Sequence, residues 1–321
     1  MVELPEGYRW RRPSLADVPA AQRVLDDLET AACGEPRRHE NRLESEFRSA
    51  RLDLERDAWL VLSPPGAAVP AAALGVVWAA HANGEIAADL YVHPEHCGRG
   101  LGAALLVAME RRANESSAAL PAGVRGTLVV WAEPDDECRP VLEQRGFVVA
   151  RHFFEMETGL GGARAAPRWP DGIAARPLRP GRDERPLHAA DAEAFAEHYM
   201  FEAHSYEEWR RSHIDRPDFD PALWLIAWDG DEIAGYAAAM VCDDGGSVAD
   251  LAVRRPWRRR GLGLALLLAE FRALAARGAT VARLFVDAQN ETGAVALYER
   301  AGMAVARRFT AYGKTLPDGG P

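Results

Sequence analysis

The stretch "AVRRPWRRRGLGLALLLAEF", residues 252–271, decides how the fold is interpreted. Five arginines stand directly before a Gly-Leu-Gly turn and a leucine-rich segment that is typical of a helix. The first backbone N–H groups of a helix lack partners within it, and the helix dipole adds positive potential there. The turn therefore predicts a seat for an anion such as a diphosphate. A solvated surface is the alternative for the arginines.

The same pattern occurs earlier, in "DLYVHPEHCGRGLGAALLVAMERR", residues 89–112. Each copy runs through paired strands, the Gly-x-Gly turn, a helix, another strand and a second helix that ends in Gly and an apolar residue. A period of roughly 160 residues has the size of a domain. The repeat predicts two domains with mixed α/β sheets, at 1–158 and 173–321, joined by a linker at 159–172 that is rich in Gly, Ala and Pro.

Charge and composition narrow the function classes. The 321 residues carry a net charge of −10, whereas a protein that binds nucleic acid is normally basic over a whole face. The local arginine run therefore favours a small anionic ligand over nucleic acid. There is no apolar run that could cross a membrane and no secretory signal, and the four cysteines are scattered. We expect a cytoplasmic protein without a membrane partner, either a monomer or a homodimer.

Two common phosphate loops fit the sequence poorly. A nucleoside-triphosphate loop needs Lys-Ser/Thr after its last glycine, and neither copy has this pair. A dinucleotide fingerprint matches the first copy as Gly98-x-Gly100-x-x-Ala103, but the second copy has Arg259 in place of Gly98. A dinucleotide site also needs an acidic residue about 20 residues further along the chain, and no suitable one stands there.

The chain resembles a tandem pair of GNAT-family N-acyltransferase domains. The diphosphate signature of that family, Arg/Gln-x-x-Gly-x-Gly/Ala after the fourth strand, is matched in full by Arg258, Gly261 and Gly263. The segment "NETGAVALYERAGM", residues 290–303, is similar to the closing motif of the family. The two motifs stand in the expected order, and the resemblance covers nearly the whole chain.

The resemblance implies acetyl-CoA as the cofactor and a division of labour in the second copy. The backbone of three strand residues would pair with the pantetheine arm, and the amides of the turn would hold the diphosphate beside the signature arginine. Asn290 would contact the cofactor arm. The strand and turn residues are Leu251, Ala252, Val253, Arg258, Arg259, Arg260, Gly261, Leu262, Gly263 and Leu264.

Two side chains are candidates for proton transfer. The resemblance implies that Tyr298 protonates the departing thiolate, and a phenol suits this because its ordinary pKa of about 10 lies near that of a thiol. Asp250, at the end of "GSVAD", is our candidate for the base, acting through water. Packing of the ring is the alternative for Tyr298, and capping or an arginine pair is the alternative for Asp250.

The acceptor is expected to be a small-molecule amine. Residues 193–211 stand where the family places the helices that line the acceptor site, and Glu202 and Tyr206 are candidate substrate contacts. No metal site is predicted. The tandem layout is similar to that of mycothiol synthase, which acetylates a cysteinyl amine. That enzyme carries a substrate-binding glutamate where this chain has Ser247.

The first copy departs from the pattern at its functional positions. Cys97 stands in place of Arg258, and Leu142 in place of Tyr298. We therefore expect a degenerate partner of a catalytic second domain. Its retained turn makes a second candidate cofactor site from Leu90, Tyr91, Val92, Arg99, Gly100 and Gly102. A sensor or scaffold that binds acyl-CoA without transfer is the competing function.

Overall fold

The chain divides into two compact units in a computed structural model. The first unit consists of Met1–His152 with Phe309–Pro321, and the second of Phe153–Arg308. The structure describes residues 3–33, 42–49, 51–132, 138–162, 165–196, 201, 203–216, 218–242, 245–290 and 293–317. The chain thus crosses from one unit to the other at residue 153 and back again at residue 309, which differs from the sequence-based limits of 1–158 and 173–321.

The first half of the sequence forms six strands and five α-helices over its described residues. Its strands are β1 (Arg9–Arg11), β2 (Ala58–Leu62), β3 (Ala71–Val77), β4 (Glu85–Val92), β5 (Thr127–Ala132) and β6 (Val148–Gly159). Its helices are α1 (Val18–Cys33), α2 (Arg42–Phe47), α3 (Leu54–Asp57), α4 (Leu101–Ser117) and α5 (Cys138–Gln144).

The second half repeats this order, with four α-helices in the part of it that the structure describes. Its strands are β7 (Ile173–Pro177), β8 (Trp224–Asp229), β9 (Glu232–Cys242), β10 (Gly245–Val253), β11 (Val281–Asp287) and β12 (Ala304–Thr315). Its helices are α6 (Glu184–Phe195), α7 (Tyr206–His213), α8 (Leu262–Ala276) and α9 (Ala294–Arg300). Residues 160–172, described except for 163 and 164, contain no regular element between β6 and β7.

Each unit contains a sheet of one design, which confirms the predicted mixed α/β class. In the first unit, β1, β2, β3 and β4 pair antiparallel, β5 lies parallel to β4, and residues 310–315 of β12 pair antiparallel with β5. In the second, β7, β8, β9 and β10 pair antiparallel, β11 lies parallel to β10, and residues 153–159 of β6 close the row. Each sheet therefore takes its closing strand from the other half of the sequence.

Helices cover both faces of the sheet in each unit, because alternating strand residues supply two apolar surfaces. In the second unit, β10 contributes to both surfaces, because a β-bulge between Val248 and Asp250 changes which face the later residues occupy. Val248 packs in a cluster with Leu267 and Phe271 of α8, whereas Ala252 packs in a cluster with Leu187 of α6. The face of α6 and α7 and the face of α8 and α9 are therefore distinct surfaces of one sheet. No helix among the described residues has the length and apolarity needed to span a bilayer.

Candidate active site

The strand that leads into the arginine-rich turn of the second unit separates from its parallel neighbour. The parallel register of β10 with β11 covers Gly246 and Ser247, whereas its antiparallel register with β9 continues to Val253. A β-bulge lies between Val248 and Asp250. The predicted cofactor residues Leu251, Ala252 and Val253 therefore follow the point where the two parallel strands part. Their backbone edge toward β11 lies outside the ladder of these described strands.

The turn has the backbone that an anion seat needs. Gly261 has a φ of 86° and caps the start of α8, and added carbon at this position would meet no atom within 4 Å. The first α-helical bond runs from the Ala265 N–H to the Gly261 carbonyl, at 3.1 Å. The amides of Leu262, Gly263 and Leu264 therefore precede the hydrogen-bonded part of the helix. This open, donor-rich turn fits a diphosphate.

Gly263 serves a different purpose, which is close packing. A Cβ atom at this position would stand 2.9 Å from the Leu297 side chain of α9, which is closer than real contacts allow. Leu297 and the candidate acid Tyr298 are neighbours on that helix. The second glycine of the signature therefore lets α9 approach the start of α8.

The arginines of the run divide into two groups. Arg258 donates from Nε to the Val253 carbonyl at 2.9 Å and from Nη2 to the Ala194 carbonyl at 3.4 Å, so it ties the turn to the end of β10. Arg254 is paired with Glu193 at 2.6 Å. Arg259 and Arg260 are exposed, and Arg260 donates to the Asp171 carbonyl at 3.2 Å. The exposed arginines of the turn itself are therefore Arg259 and Arg260, while Arg255 is exposed in the segment that precedes it.

Arg259 has an unusual backbone. Its φ is 62°, and it is the one residue other than glycine with a positive φ in the part of the chain that the structure describes. A side chain in the left-handed region costs roughly 1–2 kcal/mol. Retaining an exposed arginine there despite the strain points to a use for its charge.

Tyr298 lies in α9 with 8% of its surface exposed. Burial raises the pKa of the phenol to about 12, so the hydroxyl keeps its proton at neutral pH. No described residue makes a hydrogen bond to this hydroxyl. A protonated phenol with no internal acceptor can donate to a bound group.

Asp250 has the properties of a proton acceptor. It is half-buried on β10 and has neither an ion pair nor a hydrogen bond to a described residue, so the capping and arginine-pair alternatives find no support there. Burial raises the pKa of Asp250 to about 6, while the charges of His213 and Arg216 oppose the rise and that of Asp191 adds to it. The Asp250 carboxylate is therefore ionised at neutral pH, and it takes up a proton when the pH falls to about 6.

The remaining predicted contacts lie around this centre or outside the described residues. Asn290 is half-buried in the connection between β11 and α9. Glu202 lies outside the described residues. Tyr206 opens α7, where the Arg185 guanidinium covers its ring at 4.1 Å and Trp209 stacks beside it at 6.4 Å. These contacts make Tyr206 part of the packed aromatic cluster behind the site.

The first unit repeats the turn with other side chains. Gly100 caps α4 with a φ of 80°, Arg99 is exposed, and Gly102 lies close to Cys138. Leu90 and Val92 are buried, and Tyr91 is half-buried. The register of β4 with β5 stops at Ala88, so these residues also follow a parting of strands. The second candidate cofactor site thus has the same backbone.

A histidine pair in the first unit was not singled out from the sequence. His93, Glu95 and His96 bring ligand atoms within 4.8 Å of one another. However, the ring nitrogens already have partners: Tyr8 and Ser63 on His96, and Asp27 and the Glu95 amide on His93. The group is therefore a hydrogen-bonded network around a turn.

Three side chains beside Asp250 were also missed. They lie on the same side of the sheet as Asp250 and are Asp191 on α6, Tyr236 on β9 and His213 at the end of α7. Asp191 carried a detectable signal, because it stands four residues after Leu187 and three before Ala194 on a helix face that is otherwise apolar. An acidic residue within an apolar stripe is a candidate functional position.

Comparison with known proteins gives one family. The model of one protein family, described as "Acetyltransferase (GNAT) family", matches residues 186–303. A mycothiol acetyltransferase of Streptomyces scabiei is 36% identical over 67% of this chain and 67% of its own length. One from Kineococcus radiotolerans is also 36% identical, over 69% of each chain.

Solved structures agree over nearly the full length. The GCN5-related N-acetyltransferase from Sphaerobacter thermophilus superposes with a TM-score of 0.86 at 32% identity, covering 99% of this chain and 98% of that one. A tandem GNAT protein from the clavulanic acid biosynthesis pathway has a TM-score of 0.71 at 15% identity, covering 98% and 100% of the two chains, and shows the shared fold.

Proposed function

We propose, because this chain belongs to the GNAT acetyltransferase family, that its second unit transfers an acetyl group from acetyl-CoA to the primary amine of a small molecule. The observation that carries the proposal is the parting of β10 from β11 before the open, donor-rich turn at Gly261. Two groups with opposite proton states support it. Asp250, with a pKa of about 6, is ionised at neutral pH, whereas Tyr298, with a pKa of about 12, holds its proton. An acid and a base set apart in this way suit attack by an amine and departure of a thiolate.

The chain's own residues would perform three tasks. Acetyl-CoA supplies an activated acetyl thioester when it is bound. The amides that follow Gly261, with Arg259 and Arg260, would hold the diphosphate, while the backbone of Leu251, Ala252 and Val253 would orient the pantetheine arm beyond the strand parting. Asn290 would contact the same arm. Arg258 would keep the turn attached to β10.

Proton transfer would use the two titrating side chains. Asp250 would accept a proton from the acceptor nitrogen, directly or through a water, which leaves a lone pair for attack. Tyr298 would donate its proton to the sulfur as the carbon–sulfur bond breaks. Because the first unit has Leu142 at the position of Tyr298 and Trp78 bonded to Asp89 at 2.6 Å, we assign turnover to the second unit only.

A cysteinyl amine is a second candidate acceptor, and the bulge in β10 supports it. Ser247 lies opposite Met240 and Asp250 lies opposite Ala238, and these two β9 residues share a face. The extra residue Ala249 thus puts Asp250 on the face of Ser247, which marks the position of the substrate-binding glutamate in mycothiol synthase. This chain would therefore present its acid on the same face, further along the strand.

The test is release of free thiol from acetyl-CoA with a panel of primary amines that includes cysteinyl amides and their N-acetylated forms. We expect turnover with at least one free amine and none with its N-acetylated control. Thermal stabilisation by acetyl-CoA without turnover on any amine would favour the sensor function instead. The absence of both turnover and thermal stabilisation would contradict both functions.

A further inference from the structure

A second carboxylate faces the same side of the sheet as Asp250. Asp191 projects from α6, half-buried, between the positions of Leu187 and Ala194, which pack into the apolar cluster on that face. Ala238, which pairs with Asp250 across the strands, belongs to the same cluster. Two carboxylates from different elements therefore face one apolar and aromatic surface of the second unit.

Tyr236 fixes the position of Asp191. Its side chain is 1% exposed, its ring stacks on Trp224 at 6.2 Å, and its hydroxyl donates a hydrogen bond to the Asp191 carboxylate. Burial and the two nearby carboxylates raise the pKa of Tyr236 well above its ordinary value, so the hydroxyl remains a donor. Asp191 is thus held by a rigid phenol on the strand next to that of Asp250.

The cations near these carboxylates are already engaged. Arg216 makes two bonds to Asp218, at 2.9 and 2.6 Å. The His213 ring stacks on Trp209 at 5.1 Å, and its Nδ1 lies 2.8 Å from the Trp209 carbonyl. Among the described residues, neither Asp191 nor Asp250 has a salt bridge. Two half-buried carboxylates that make no salt bridge on this face can accept a cationic ligand.

We propose that Asp191 and Asp250 together bind the acceptor as an ammonium ion, with Asp191 selecting the charged amine and Asp250 receiving its proton. This inference rests on the proposed acetyl transfer. In the proton step, one N–H bond of the ammonium breaks and an O–H bond forms on Asp250. The products are a neutral amine with a lone pair and a neutral carboxylic acid. Asp191 takes no part in this proton transfer.

Three roles follow for the named residues. The charge of Asp191 attracts the ammonium and makes Asp250 hold a proton more readily, because a second negative charge opposes ionisation. The charges of His213 and Arg216 act in the opposite direction. Tyr236 touches no substrate and is a positioning residue that acts through Asp191. In the first unit, the position that matches Tyr236 in the register with β4 is the buried Leu74, which has no hydroxyl to hold a carboxylate.

The first test is Asp191→Asn, which keeps an oxygen that can accept from Tyr236 but removes the charge. With an amine that turns over in the panel, we expect its KM to rise roughly 10-fold, the scale of one charged hydrogen bond. The KM for acetyl-CoA should stay unchanged, and the acidic limb of kcat/KM should move to lower pH. An unchanged amine KM together with an unmoved acidic limb would overturn the proposal.

The second test needs no turnover. Protein with carbon-13 in its aspartate carboxyl groups is titrated by NMR, and the Asp250 signal is the one that Asp250→Asn removes. We expect a midpoint near the pKa of about 6 in the unchanged protein and a lower midpoint in Asp191→Asn. Asp231→Asn, at an exposed turn, is the matched control and should leave it unmoved. Equal midpoints in all three proteins would refute the coupling even if acetyl transfer is established.

Tyr236→Phe keeps the Asp191 charge and removes its anchor, so it covers the case in which Asp191→Asn does not fold. We expect the amine KM to rise several-fold, at the scale of about 1 kcal/mol for one hydrogen bond, while the KM for acetyl-CoA stays unchanged. No change in either KM would contradict the role given to Tyr236. If the carboxyl NMR titration shows the coupling but no amine turns over, acetyl transfer fails and the carboxylate pair remains.

Discussion

The two Gly-x-Gly turns share a backbone and differ in chemistry. Gly98 and Arg259 both have a positive φ, of 70° and 62°, and Gly100 and Gly261 both cap their helices in the left-handed region. The first turn is closed by the Cys97 thiol, 3.8 Å from the Val92 carbonyl, and the second by the Arg258 guanidinium, 2.9 Å from the matching Val253 carbonyl. The bulge before Asp250 has no counterpart between Ala88 and Val92. Backbone shape thus survives in a copy whose reactive groups do not.

The largest expected effect tests whether the acid belongs to the second unit alone. Tyr298→Phe removes one proton donor and should lower kcat by about 100-fold. Leu142→Met is the control at the matching position, chosen because Leu142 is fully buried and a smaller side chain would leave a cavity. Steady-state thiol release measures both. Equal losses in the two variants would contradict the asymmetry between the units.

The second effect concerns a buried acid in α8 whose matching position in α4 is apolar. Glu270 is 1% exposed, burial raises its pKa well above the ordinary value, and the matching residue is the buried Met109. Its stability contribution is complete below the unfolded-state pKa and is lost as pH rises toward the folded-state pKa. Glu270→Met should therefore raise the free energy of unfolding at pH 8 by about 1–3 kcal/mol and change it little at pH 4.

Urea unfolding at the two pH values measures this difference. Glu299→Met, at an exposed position of α9, is the matched control for the change of side chain. A gain from Glu270→Met that is the same at pH 4 and pH 8 would show that packing, and not the proton, is responsible.

The third effect exchanges the residues that close the turns. Arg258→Cys gives the second turn the side chain of the first and removes bonds to two carbonyls, so the Kd for CoA should rise roughly 10-fold. Cys97→Arg is the reciprocal change in the first unit. Calorimetric titration measures both. An unchanged Kd in Arg258→Cys would mean that the turn keeps its shape without the guanidinium.

The smallest effect separates strain from charge. Arg259→Gly gives the second turn the residue of the first, relieves a left-handed backbone and should raise Tm by about 2–4 °C. The same change removes an exposed charge and should weaken CoA binding about 3-fold. Arg260→Gly is the comparison without strain. A variant with a lower Tm and unchanged affinity would refute the explanation of Arg259.

The sequence allowed the repeat, the mixed sheets and the family to be predicted, because the glycine spacing and the closing motif are local patterns. Three things depend on distant contacts and could not be predicted. The bulge at Ala249 shows only in the register of β10 with β9. The Tyr236–Asp191 bond joins residues 45 positions apart. The membership of residues 309–315 in the first unit follows from pairing with β5, which no short motif encodes.

The exchanged closing strands have a consequence for synthesis on the ribosome. The first unit needs residues 309–315, which are made only after residues 153–308. At translation rates of roughly 5–20 residues per second, the exposed edge of β5 waits about 10–30 s for its partner. A nascent first unit is therefore unfinished while the second is being made. Until then, the unpaired edge of β5 can pair with a strand of another polypeptide.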